Sequence, residues 1–155
     1  MPHRRGINSI VCEPVSTDES YVFSASRDRL IKLWHVEQAS KKMELVTDLD
    51  SHTDWVNQIV LIPEARNTLV SCSQDTTIKI WKLDQFNSIK EKKLAPISTL
   101  QDHEDSVRCI SYSKQTGKLF SAADDGQIFM WDMSCEKLLQ KYEIRERSDA
   151  PSLND

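Results

Sequence analysis

Thr77-Ile78-Lys79-Ile80-Trp81 is the stretch that decides the fold, because it returns as Leu30-Ile31-Lys32-Leu33-Trp34 and as Gln127-Ile128-Phe129-Met130-Trp131. Three of the four tryptophans thus share one register: Trp34, Trp81 and Trp131, 47 and then 50 residues apart. Six residues before each stands an aspartate, Asp28, Asp75 or Asp125, and four before that a serine, Ser24, Ser71 or Ser121. Farther upstream lie His3, His52 and His103, each followed four residues later by Ile7, Val56 or Val107.

Around Trp81 the chain breaks into strand-like runs. Val56–Leu61 leads to a turn over Pro63-Glu64-Ala65-Arg66-Asn67, then Thr68–Ser73, a tight turn at Gln74-Asp75-Thr76, and Thr77–Leu83. A connection rich in lysine (Lys90, Lys92, Lys93) precedes a fourth run, Pro96–Leu100. β-Branched and aliphatic runs bounded by Asp, Asn, Gly and Pro are strand-and-turn grammar. The flanking repeats follow the same plan, with fourth strands near Met43–Leu49 and Lys137–Ile144. No segment carries a 3.6-residue period, so the fold class is all-β. A four-strand unit recurring every 40–50 residues is the signature of a β-propeller blade. The domain prediction is three repeats over 1–144, at about 3–49, 52–100 and 103–144, with a polar tail over 145–155 that lacks periodicity and is expected to be disordered.

The recurring polar residues need one another. A buried indole N–H, serine hydroxyl, histidine ring and aspartate each require a hydrogen-bond partner. A chain from Trp to Ser to His to Asp satisfies all four and ties the strands of a blade together. Ser, His and Asp also suggest a hydrolase. Here, however, the set occurs three times, no G-x-S-x-G turn is present, and no single nucleophile is marked out. Catalytic residues, metal ligands and cofactors are therefore all predicted to be absent. Hydrolysis is kept only as a marginal third reading.

Composition narrows the class further. Of 155 residues, 39% are apolar, and mean hydropathy is -0.51, without the run of about 18 apolar residues that a membrane helix needs. The start, Met1-Pro2-His3-Arg4-Arg5-Gly6, has no apolar segment behind it, which argues against a secretory signal. A net charge of -4 disfavours nucleic acid as a partner. Cys12, Cys72, Cys109 and Cys135 lack metal-site spacing. Cys12 and Cys109 are placed at equivalent positions in the first strands of repeats one and three and read as small apolar strand residues in a reducing compartment, cytoplasmic or nuclear.

His, Val, Ser-x-Ser-x-Asp and Ile-Lys-Ile-Trp in this order resemble the WD-repeat family, and the polar quartet resembles that family's structural tetrad. There are departures. Only the third repeat ends in a literal Trp131-Asp132, and Ser51 and Asp102 stand where a glycine usually precedes the histidine. A narrower likeness rests on Ser51–Asn57, Ser73–Lys79, Gln127–Asp132, Gly6-Ile7-Asn8 and Arg27-Asp28. These resemble the first blades of the WD-repeat activator of ubiquitin-specific proteases. The resemblance implies a non-catalytic scaffold that binds such a protease and favours its productive state. The alternative is a generic adaptor, in a ubiquitin-ligase substrate receptor or an RNA-processing assembly. A ring of this kind closes with about seven blades. Three blades are therefore expected to be a piece of a larger propeller or, failing that, to self-associate through open edges, two copies giving six blades.

In a propeller, the turn before the first strand and the turn between the second and third share one face. That face would carry Arg4, Arg5, Arg27 and Arg29, then Thr53, Asp54, Trp55, Gln74 and Thr76, then Glu104, Asp105, Asp124 and Gln127. Its charge would grade from basic to acidic, which would orient a protein partner. Trp55 has no counterpart, since Gly6 and Ser106 hold its register. It is either a binding anchor or packing between blades. The four arginines also raise phosphate recognition, without the aromatic set that base stacking needs.

Overall fold

The computed structural model describes residues 1–62, 68–83 and 94–143. The turn at Pro63–Asn67, the lysines Lys90, Lys92 and Lys93, Ile144 and the 145–155 tail lie outside these. The described residues form three four-stranded antiparallel sheets and no helix. Blade 1 is β1 (Ile7–Pro14), β2 (Glu19–Ser26), β3 (Leu30–Glu37) and β4 (Lys42–Asp50). Blade 2 is β5 (Val56–Ile62), β6 (Thr68–Ser73), β7 (Ile78–Lys82) and β8 (Ser98–Leu100). Blade 3 is β9 (Val107–Ser113), β10 (Lys118–Ala123), β11 (Gln127–Asp132) and β12 (Lys137–Glu143). Each is a meander in sequence order. β8 is shorter than the run over Pro96–Leu100, because Pro96 has no N–H to give a ladder.

Strand alternation gives each blade two apolar faces. The leading face meets the preceding blade and the trailing face meets the next. Phe23, Ala25, Ile31 and Leu33 on the trailing face of blade 1 pack on Ile59, Leu69 and Trp81 of blade 2. Val70, Cys72, Ile78 and Ile80 on the trailing face of blade 2 pack on Ile110, Leu119 and Trp131 of blade 3. The core is therefore two seams, and blade 2, covered on both sides, is the most buried. Among the described residues no blade stands against the leading face of blade 1, and Trp34 is half-buried while Trp81 and Trp131 are buried.

The same geometry corrects the reading of the cysteines. Cys12 and Cys109 are not equivalent: Cys12 alternates onto the leading face of blade 1, whereas Cys109 takes the register of Ser9 and Gln58 on the trailing face of blade 3, and both are exposed, as is Cys135. Cys72 alone is buried, and burial pushes its thiol up to about 12.

Each first strand carries a bulge. The register skips Asn8 between Ile7 and Ser9, Asn57 between Val56 and Gln58, and Arg108 between Val107 and Cys109. A bulge re-aims a side chain, and these three point to different uses described below.

The tight turns between second and third strands place Arg29 (φ 75), Thr76 (φ 69) and Gly126 (φ 74) at one equivalent position. Only glycine takes this left-handed conformation without steric cost. Thr76→Gly is expected to stabilise the protein by about 0.5–1 kcal/mol, read as a higher urea midpoint. A lower midpoint would show that the threonine side chain contributes more than the strain costs.

Candidate functional site

The turn aspartates organise the upper rim of every blade. Asp75 Oδ1 accepts from the Thr77 N–H (3.0 Å) and hydroxyl (2.6 Å), while Oδ2 accepts from the Thr53 N–H (3.0 Å) and His52 Nδ1 (2.8 Å). Asp28 accepts likewise from Leu30, Arg4 and His3, and Asp125 from Gln127, Glu104 and His103. Burial by itself would raise these carboxyls. The hydrogen bonds from His and backbone, with the His ring beside each, hold all three below the usual carboxylate range.

Behind each aspartate the chain of bonds continues inward. Trp81 Nε1–H donates to Ser71 Oγ at 3.0 Å, and Ser71 Oγ lies 2.8 Å from His52 Nε2. The Asp75 carboxylate can only accept, so the ring proton on Nδ1 faces it, and in the neutral ring Nε2 then accepts from the Ser71 hydroxyl. Trp34–Ser24–His3 and Trp131–Ser121–His103 repeat the geometry, with Trp–Ser bonds of 2.8 Å in both. Ser24, Ser71 and Ser121 are all buried, and each hydroxyl is already committed on two sides. A serine sealed in this way cannot reach a substrate carbonyl, so the Ser–His–Asp sets cross-brace the blades.

The remaining candidates sit on the rim that these aspartates order. Backbone bonds from Arg27 to Gly6, Gln74 to Trp55 and Asp124 to Ser106 tie the turn between second and third strands to the turn before the first strand in each blade. The two turns therefore share a face in each blade. Arg4, Arg5, Arg27, Arg29, Asp54 and Trp55 come together as walls of one cleft of about 720 Å³ over blade 1 and the start of blade 2. Gln74, Glu104, Asp105 and Asp124 do not line it; nor do Thr53, Thr76 and Gln127.

Arg27 joins the two blades at the cleft wall. Its Nε donates to Asn8 Oδ1 at 3.1 Å, and its guanidinium carbon lies 5.0 Å from the centre of the Trp55 ring. The bulged Asn8 is in turn anchored by donating through Nδ2 to Val56 O at 2.9 Å. Trp55 thus packs across the blade junction and also fronts the cleft. A cation over a ring face at this distance contributes roughly 0.5–1 kcal/mol when exposed.

Several residues of the site escaped the sequence reading. Lys32, 3% exposed, donates to Asp48 Oδ1 at 2.6 Å, and both line the cleft with Asp50 and Asp28. At the other end of the rim, the bulged Arg108 donates to Asp124 at 2.7 Å. The strand–turn pair that reads Asn8–Arg27 in blade 1 is therefore reversed in blade 3. Charges of both signs mix at both ends, which breaks the basic-to-acidic gradient. A phosphate in the cleft would meet carboxylates beside the arginines. The arrangement suits a protein surface carrying both signs. Gln74 Oε1, in the register of Arg27 and Asp124, is buried without a donor among the described residues.

Among the described residues no cluster of His, Cys, Asp and Glu could hold a metal ion. The sequence profile described as WD domain, G-beta repeat matches the chain at residues 1–35, 43–82 and 94–132.

Proposed function

Since the chain belongs to the WD-repeat family, whose repeats are protein-interaction scaffolds, we propose that its cleft over blades 1 and 2 docks a ubiquitin-specific protease and raises that enzyme's turnover. The observation that carries the docking site is the Arg27 guanidinium, positioned by Asn8 and Trp55 at the wall of a cleft that also presents Arg4, Arg5 and Asp54. A rigid aromatic beside an oriented guanidinium is the composition of an interface hot spot. The choice of protease rests on the likeness of Ser51–Asn57, Ser73–Lys79 and Gln127–Asp132 to the WD-repeat activators. Action on the ubiquitin system would place the chain in the cytoplasm or nucleus.

Turnover of a fluorogenic ubiquitin substrate by a ubiquitin-specific protease should rise about fivefold or more on addition of the chain. Binding with unchanged turnover would instead favour an adaptor role, and no binding would refute the proposal. Trp55→Ala should weaken binding by at least about tenfold, the loss of a central aromatic anchor. Its thermal midpoint should fall far less than that of Trp81→Ala, because the Trp55 ring is only half-buried and its backbone hydrogen bonds survive truncation. Equal falls would make Trp55 a core residue and remove it from the docking site.

A further inference from the structure

In each blade a residue of the turn after the second strand lies in register with the bulged residue of the first strand. The pairs are Arg27 with Asn8, Gln74 with Asn57 and Asp124 with Arg108. One position thus holds a cation beside an amide, then two amides, then a carboxylate beside a cation.

Blade 3 shows what this position does with a carboxylate. Asp124 Oδ2 accepts from Arg108 Nε at 2.7 Å and also from Nη2, so that guanidinium is neutralised along its side-on edge. Blade 1 has the cation with neutral neighbours instead. The Arg27 stem runs past Gly6, its Cδ 3.9 Å from where a Cβ would stand. Nε is fixed by Asn8 Oδ1, and the guanidinium carbon sits against the Trp55 ring, half of which is buried. Among the described residues its terminal nitrogens, Nη1 and Nη2, meet no acceptor, and Arg27 is exposed. Asp54 shares the cleft wall, but it accepts from the Trp55 N–H at 2.7 Å and forms no ion pair with Arg27.

We infer that Arg27 receives a carboxylate from the docked partner, an aspartate or glutamate side chain that approaches end-on and takes Nη1 and Nη2 together. The inference rests on the docking reading above and names the chemistry of the partner at that site. Contacts along the stem, at Nε and on the ring hold the guanidinium in place before binding, so little side-chain freedom remains to be lost. With Nε committed to Asn8, the end-on pair is the bidentate edge left over. The charge is also left over, whereas Lys32 in the same cleft is already matched by Asp48. A phosphate dianion would face repulsion from Asp28, Asp48, Asp50 and Asp54, while a single carboxylate brings one charge. Both blades that form this junction are present, so its geometry is complete within the described residues.

A peptide of six glutamates with blocked termini, titrated into the intact chain, tests the inference without the protease. The Arg27 side-chain N–H resonances are expected to shift and saturate, and a blocked peptide of six glutamines should leave them in place. Arg27→Lys keeps the charge but loses the fork, so peptide affinity read at the Trp55 indole should fall at least about tenfold. Arg27 is exposed, so this variant should keep the wild-type melting curve. Protease affinity should fall by a similar factor. Resonances unmoved by glutamate, a peptide affinity indifferent to Arg27→Lys, or tighter saturation by inorganic phosphate would each overturn the inference. Peptide binding by a chain that no ubiquitin-specific protease binds would remove the docking reading and leave the carboxylate site standing. Protease binding indifferent to Arg27→Lys would do the reverse.

Discussion

Trp81→Ala is expected to lower stability by about 3–5 kcal/mol, the range for removing a large aromatic from a core. Trp81 is 1% exposed, lies in the seam between blades 1 and 2, and satisfies Ser71 through its indole N–H. Truncation opens a cavity where blade 2 meets blade 1 and takes one donor from the Ser71 hydroxyl. For a chain of this size such a loss corresponds to a fall in melting temperature of roughly 6–20 °C. Trp34→Ala supplies the internal control. Its indole makes the same bond to Ser24, but the ring is half-buried on a face that no blade covers among the described residues. The fall for Trp34 must therefore be clearly smaller. Equal losses in thermal unfolding would mean that hydrogen bonding, not burial in the seam, carries the tryptophan's contribution.

Acid should unfold the protein through its turn aspartates, and Asp75 should dominate. Its carboxylate accepts four hydrogen bonds between two strands' turns, and its pKa is held below the usual carboxylate range. A group whose folded pKa is depressed contributes stability that is fully present above its unfolded value, near about 4, and is lost as pH falls toward the folded value. The urea midpoint should hold from neutrality to about pH 5 and then fall steadily. Asp75→Asn should cost about 1–3 kcal/mol at neutral pH, because an amide cannot accept all four bonds. The variant's midpoint should also fall less steeply in acid. If the variant kept the wild-type acid slope, other carboxylates would be responsible.

The positions of the blades were legible because the tetrad demands fixed residue types at fixed intervals. Ser71 and Trp81 must face the same side of adjacent strands with Asp75 in the turn between them, so their spacing encodes both the strands and the turn. The short β8 was less legible, because Pro96 and Ile97 keep the hydropathy of a strand while proline withholds a ladder donor. Cys12 and Cys109 misled for a different reason. Alternation assigns a residue to a face, but whether that face is covered depends on which blade stands against it. The cleft shows the same limit. Arg27 and Trp55 lie in different repeats, and their contact arises only when blades 1 and 2 are packed. Asp48 and Asp50 end β4 on the rim, where no motif marks them. Arg108 could have been found by aligning the bulge positions, where it alone departs from asparagine.

Indole N–H resonances in a titration with a ubiquitin-specific protease test the account most directly, because the four tryptophans report on scaffold and docking face at once. The account predicts slow solvent exchange for the indoles of Trp34, Trp81 and Trp131, which bond to buried serines, and a shift on protease binding confined to Trp55. Fast exchange at the three tetrad indoles, or an unmoved Trp55 at saturating protease, would contradict it.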